Sequence, residues 1–325
     1  MEISENLKDW LLNSNPWVEY NTRIELLNQS LENPEVINAK EKMIKHPLVQ
    51  AILNEIGDWP GYALKRHNDA KHLTHKLSFL TDIGLRKEDN DNLNEIVDKI
   101  FKDQSNEGAF QILANIPVHF GGSGNDEKAW MLCDTPTVLY SVIKLGYSTE
   151  KSVEKAIKHI ISLIRENGWP CVASPKFGKF KGPGKKDDPC PYANLISLKV
   201  LANHPKWKDD NVCKIGTEIL LSLWNQRTKR KPFLFGMGTD FKKLKAPLIW
   251  YDILHVTDVL TRFDWLKNDE RLLEMINIIE SKADENGRFA AESVWRAYKD
   301  WDFGQKKEPS PWISYLVYCI TNRIK

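Results

Sequence analysis

The sequence predicts an all-α chain, an (α/α)6 toroid of helical hairpins, and three observations carry that prediction. Amphipathic helices alternate with helices that are apolar all round. A short glycine-aromatic loop recurs between them. No segment shows the two-residue alternation of a half-buried strand.

The loop comes first, because a fixed period means repeat architecture. It reads "IGDWPG" at Gly57, "NEGAFQ" at Gly108, "ENGWPC" at Gly168 and "ENGRFA" at Gly287, with a weaker relative, "FLFGMG", at Gly236. Successive glycines are 51, 60, 68 and 51 residues apart. Each sits near a Trp or Phe, which suits a tight turn with an aromatic plug. Before the loops lie helices with one wet face. In "KSVEKAIKHIISLIREN", Val153, Ile157, Ile160, Ile161 and Ile164 fall at helical spacing with charges between them. "NLNEIVDKIFKD", "VCKIGTEILLSLW" and "ERLLEMINIIE" repeat the pattern.

After the loops come helices with few charges on any face: "DTPTVLYSVIKLGY", "CPYANLISLKVLAN", "APLIWYDILHVTDVL" and "SPWISYLVYCITNR". "NPWVEYNTRIELL" and "AKHLTHKLSFLTDIGL" belong with them. Pro16, Pro136, Pro191, Pro247 and Pro311 are expected in their first turns, where a missing N–H costs little. Both helices of a solenoid hairpin keep a wet side, and here the second does not. A closed ring with the apolar helices inside satisfies both, as a single domain over 1–325.

Length and composition agree with a large soluble core: 325 residues, 42% of them apolar. A net charge of +2 gives no global field for nucleic acid. Five scattered cysteines without a CxxC point to a reducing compartment. The acidic, polar start "MEISENLKDW" is no signal peptide, and no run reaches the roughly 18 apolar residues of a membrane span. A cytoplasmic protein is expected, with peripheral membrane contact left open.

In such a ring the inner helices start at one mouth, where N–H groups and helix dipoles favour an anion. The aromatic residues expected there are Trp17, Tyr20, Trp59, Trp169, Tyr192, Trp250, Tyr251, Trp312 and Tyr315. They make either a well for an apolar guest or a plain aromatic core. Lys181, Lys185, Lys186 and Lys243 stand on long loops at the same end, a basic rim for a phosphate or diphosphate head, or solvated loops. Cys133 and Asp134, then Asp188 and Cys190, open two inner helices. Asp188 reads as an N-cap and Cys190 as a small core residue, or the two bind one Zn²⁺ with Asp252 or His255 as a further ligand. His72 and His75 read as pocket lining or surface.

The glycine-aromatic loops between outer and inner helices resemble the repeats of the prenyltransferase/squalene-cyclase superfamily, across nearly the whole chain. The prenyltransferase resemblance implies a zinc set of Asp-x-Cys plus a His on the next inner helix. It also implies a helical partner subunit and alkylation of a zinc-activated thiolate by an isoprenoid diphosphate. Asp188-Pro-Cys190 matches its first part; the later position is Asp252, with His255 one turn on. The cyclase resemblance implies an acidic DxDDT, of which "MLCDT" keeps Asp134 and Thr135 with Cys133 at the acid position. The expected function is therefore an isoprenoid- or apolar-ligand-binding toroid, a divergent prenyl-transferring or cyclising enzyme. The alternatives are a carbohydrate-active (α/α)6 enzyme, with Asp134 and Asp252 or Asp188 as acid and base, and a non-catalytic docking scaffold.

Overall fold

The computed structural model describes residues 3–179, 187–229 and 235–325. Lys181, Lys185 and Lys186, expected on the basic rim, lie outside them. Among the described residues are thirteen α-helices. They are α1 (Glu5–Leu12), α2 (Pro16–Asn21), α3 (Pro34–Lys45), α4 (Pro47–Ile56), α5 (Leu73–Asp82), α6 (Asp91–Lys102) and α7 (Thr135–Val142). Then come α8 (Lys151–Ser162), α9 (Pro191–Ala202), α10 (Asn211–Asn225), α11 (Ile253–Leu260), α12 (Glu270–Glu280) and α13 (Pro311–Arg323). No helix is long and apolar enough to cross a membrane among the described residues.

The chain divides into two compact units. One comprises Met1–Asn54, Asp82–Leu85 and Gly238–Lys325, the other Glu55–Thr81 and Arg86–Met237. In the second unit the expected alternation is present. Helix α6 buries one stripe, Leu93, Ile96, Val97 and Ile100, and α8 buries Val153, Ala156, Ile157 and Ile160. Helix α9, packed on α7 and α10, is buried from Pro191 to Leu201 without a wet face. In the first unit α12 buries Leu272, Met275, Ile276 and Ile279, while α11 and α13 are buried nearly all round.

Four of the five prolines stand in first turns as expected, in α2, α7, α9 and α13. Pro247 does not. Helix α11 begins only at Ile253, because the Asp252 carboxylate accepts the His255 N–H at 2.9 Å and sets the N-cap there. The sequence also missed two short antiparallel strands, β1 (Ile112–Ala114) and β2 (Glu127–Ala129), with Leu113 opposite Lys128. Three residues are too few to show alternation.

The glycine-aromatic loops clip helices together by a shared device. At Gly168 the backbone is left-handed, with φ +95°, and an added Cβ would lie 2.6 Å from Asn194 Oδ1 on α9. That closeness lets the Asn194 amide accept from Trp169 N at 3.1 Å and donate to Trp169 O at 2.9 Å. In the first unit Phe289 N donates to Ser314 Oγ of α13 at 2.9 Å, and Ser310 N to Phe289 O at 2.8 Å. Loop, strand-like segment and apolar helix form one hydrogen-bonded element.

Candidate metal centre

That device converges three thiols in the second unit. The segment at Trp130–Cys133 pairs with the one at Cys171–Ser174: Leu132 N donates to Val172 O at 3.0 Å and Ser174 N to Trp130 O at 2.9 Å. The loop at Trp169 pairs in turn with the start of α9, through Cys190 N donating to Trp169 O at 2.8 Å. Cys133, Cys171 and Cys190 therefore meet, their sulfurs all within 4.8 Å of one another. The Sγ–Sγ distances are 3.6 Å for Cys133–Cys190 and 4.0 Å for Cys133–Cys171, and no cysteine is in a disulfide. Zn–S bonds of about 2.3 Å in a tetrahedron put two sulfurs about 3.8 Å apart. The thiols already stand near that spacing.

Two helix starts border the cluster and use their caps differently. Cys190 is the N-cap of α9, its sulfur accepting the Ala193 N–H at 3.4 Å. Asp134 holds the same place at α7 but makes no side-chain cap bond. Its Oδ2 is 2.8 Å from His67 Nδ1, and its Oδ1 is buried with no hydrogen-bond partner. A carboxylate that leaves a cap unfilled is held for something else.

His67 lies on the segment between Tyr62 and α5, which the other two histidines pin. Buried His72 meets Tyr62 O through Nε2 at 3.0 Å, and buried His75 meets His67 O at 2.7 Å. Burial lowers the pKa of His75 to about 4, so its ring is neutral and donates from Nε2. Of the two expectations for this pair, surface placement is corrected: both are buried and brace carbonyls of the segment.

Protonation in the cluster is unequal. Hydrogen bonds from Cys133 and from Cys171 hold the Cys190 thiol well below the usual range, against its burial and helped by the Ala193 N–H. The contacts with Cys171 and Cys190, then burial, push Cys133 well above it. Burial alone would lower His67, but the charge of Asp134 and the hydrogen bond to it raise its pKa. Three converging thiols, one of them held below its usual range, are a donor set suited to a soft or borderline cation.

The other expected site residues fall elsewhere. Asp188 is neither the N-cap of α9 nor part of the thiol cluster; Cys190 takes the cap because Asp188 precedes Pro189 and lies two residues too early. Asp252 and His255 belong to the first unit. There Asp252 caps α11, and His255 Nδ1 meets Trp250 O at 2.9 Å. Tyr251 is buried with its ring 5.3 Å from Phe241, and Lys243 is ion-paired with Asp240 at 3.0 Å.

Most of the aromatic residues are core. Trp17 packs on Trp301 at 4.4 Å, Trp312 stacks on Tyr315 at 5.0 Å, and buried Tyr20 lies under the Lys40 ammonium. In the second unit Trp59, Trp169 and Tyr192 are buried, and the Trp169 indole donates to Ile160 O at 2.8 Å. A cavity of about 10 Å³ beside Trp130, Met131 and His159 has room for one water.

Cys171 and His67 were not singled out in the sequence. Cys171 had one available signal, its place directly after the Gly168-Trp169 loop; His67 had none. No protein-family model and no curated protein matches the chain. Among solved structures, one described as a polysaccharide lyase is 12% identical, with a TM-score of 0.41 over 95% of this chain and 89% of that one. The likeness is too slight to bring that protein's activity to this chain.

Proposed function

We propose that the second unit holds zinc between Cys133, Cys171 and Cys190, and that the protein is a zinc-dependent transferase that activates a substrate thiol for alkylation. The supporting observation is the spacing of three sulfurs from separate segments at the edge lengths of a zinc tetrahedron. Three thiolates outweigh the ion's charge, which makes the centre a poor generator of hydroxide. A thiol in the fourth position is instead held as an electron-rich thiolate. Its sulfur would form a bond to the first carbon of an alkyl diphosphate as the C–O bond breaks and diphosphate leaves. The (α/α)6 toroid is part of this reading, supported by the alternation of buried and one-sided helices in each unit, and the isoprenoid donor is the alkyl source the reading assigns to it.

The test is zinc-loaded protein with farnesyl or geranylgeranyl diphosphate and glutathione or a cysteine peptide, read as thioether by mass spectrometry. Thioether formed by the wild type and lost in Cys190→Ser is expected; equal thioether from both would sink the reading. A second reading, a carbohydrate-active enzyme, is favoured by Asp134, a buried carboxylate with an unpartnered oxygen beside an imidazole. Ultraviolet-absorbing unsaturated product from a uronate polymer, lost in Asp134→Asn, would select it.

A further inference from the structure

We infer that Cys171 and Cys133 form a peroxide-oxidation site, in which Cys171 takes the oxygen and Cys133 closes a disulfide on it. The inference rests on the thiolate–zinc reading for its consequence, release of the metal, and on the thiols alone for the bond itself.

Register, distance and exposure carry it. The antiparallel bridge between Met131 and Ala173 sets a register in which Cys133 falls opposite Cys171, one residue beyond the Leu132–Val172 hydrogen bond. Their sulfurs are 4.0 Å apart, and a disulfide bond is about 2 Å long. The remaining gap of about 2 Å is within the reach of side-chain rotation, so the ladder need not break. Exposure decides which sulfur meets the reagent: Cys171 is half-exposed, whereas Cys133 and Cys190 are 5% and 6% exposed. Cys190 lies closer to Cys133, at 3.6 Å, but its sulfur caps α9 by accepting the Ala193 N–H. A bond to Cys190 would take the sulfur from that cap; a bond to Cys171 leaves the cap intact. Cys213 and Cys319 are buried outside the cluster and take no part.

The chemistry balances with hydrogen peroxide as the oxidant. Cys171 Sγ attacks one peroxide oxygen, the O–O bond breaks, and the thiol becomes a sulfenic acid as water leaves. Cys133 Sγ then attacks the Cys171 sulfur, the S–O bond breaks, and a second water carries away the Cys133 proton. Two thiols lose two electrons and two hydrogens, and the peroxide gains both. In the zinc-bound protein the same sulfurs react as thiolates, and hydroxide leaves in place of water. The ion then keeps Cys190 as its one cysteine ligand and departs, so oxidation turns the centre off and a dithiol reductant restores it.

Zinc-loaded and zinc-free protein are each given an equimolar amount of hydrogen peroxide, then alkylated, digested and mapped by mass spectrometry. Both forms should yield a peptide pair joined through Cys133 and Cys171, with Cys190, Cys213 and Cys319 alkylated. The zinc-loaded form should release about one zinc per disulfide to a chromogenic chelator, and dithiothreitol should reverse the linkage. Cys133→Ser should leave Cys171 as a sulfenic acid that dimedone traps, whereas Cys171→Ser should give neither linkage nor trapped product. Cys133→Ala and Cys171→Ala serve if the serine variants misfold. Absence of the linked pair from either form, a linkage through Cys190, or peroxide consumption by Cys133 in Cys171→Ser would overturn the inference. Zinc bound by the untreated wild type would still keep the thiolate centre standing. A wild type that forms the linkage but binds no zinc would overturn the reading beneath it and leave the oxidation site.

Discussion

Replacing Asn194 by alanine tests whether the glycine-aromatic loop is what brings the thiols together. The side chain is fully buried and makes three hydrogen bonds: it accepts from Trp169 N and donates to Trp169 O and Cys190 O. Both carbonyls keep another donor, Cys190 N for Trp169 O and Asn194 N for Cys190 O. Those two losses therefore cost about 0.5–1.5 kcal/mol each. The Trp169 N–H is left buried and unpaired, which costs about 1–3 kcal/mol. The sum centres near 4 kcal/mol, large for one polar side chain. Urea unfolding followed by far-UV circular dichroism should show a midpoint shift of that size at an unchanged slope. Zinc affinity should fall with it, because the loop also receives the Cys190 N–H. A loss below about 1 kcal/mol with zinc affinity intact would refute the reasoning.

Other expectations follow from single positions. Gly168→Ala puts a Cβ at φ +95°, 2.6 Å from Asn194 Oδ1 and 2.9 Å from Ile219 Cγ1, and should lower the melting temperature by several degrees. Gly238→Ala, with nothing within 4 Å, should leave it unchanged. Burial raises the Asp252 carboxyl to about 7 from 3.8, so its ionisation opposes folding. That group's contribution to stability is full below pH 4 and is lost as pH rises to 7, on the order of 4 kcal/mol. Asp252→Asn keeps a good cap without the charge, so its stability relative to wild type should rise from pH 5 to pH 8; a constant difference would contradict the burial argument. Chelation should lower the melting temperature of wild type and leave that of Cys190→Ser unmoved, because an ion bound only to the native state stabilises by mass action.

Helix character was legible in the sequence because burial writes itself into periodicity. The one-sided stripe of α8 and the uncharged surround of α9 are both visible as residue spacing. The start of α11 was not, since Pro247 and Asp252 both announce a helix and only the Asp252 carboxylate closes a cap. The site was half legible. Cys133, Asp134 and Cys190 stand at helix starts, where the sequence draws attention to them. Cys171 and His67 join them only through pairing of segments 38 and 67 residues apart, which no local motif encodes. Asp188 attracted the zinc expectation by adjacency to Cys190, whereas the partners of that thiol come from other loops.

The most direct measurement is elemental zinc content of tag-free protein beside Cys133→Ser, Cys171→Ser and Cys190→Ser. About one zinc per chain in the wild type, lost or sharply reduced in each variant, is the predicted result. A metal-free wild type, or zinc retained at full occupancy in any of the three variants, would contradict the account.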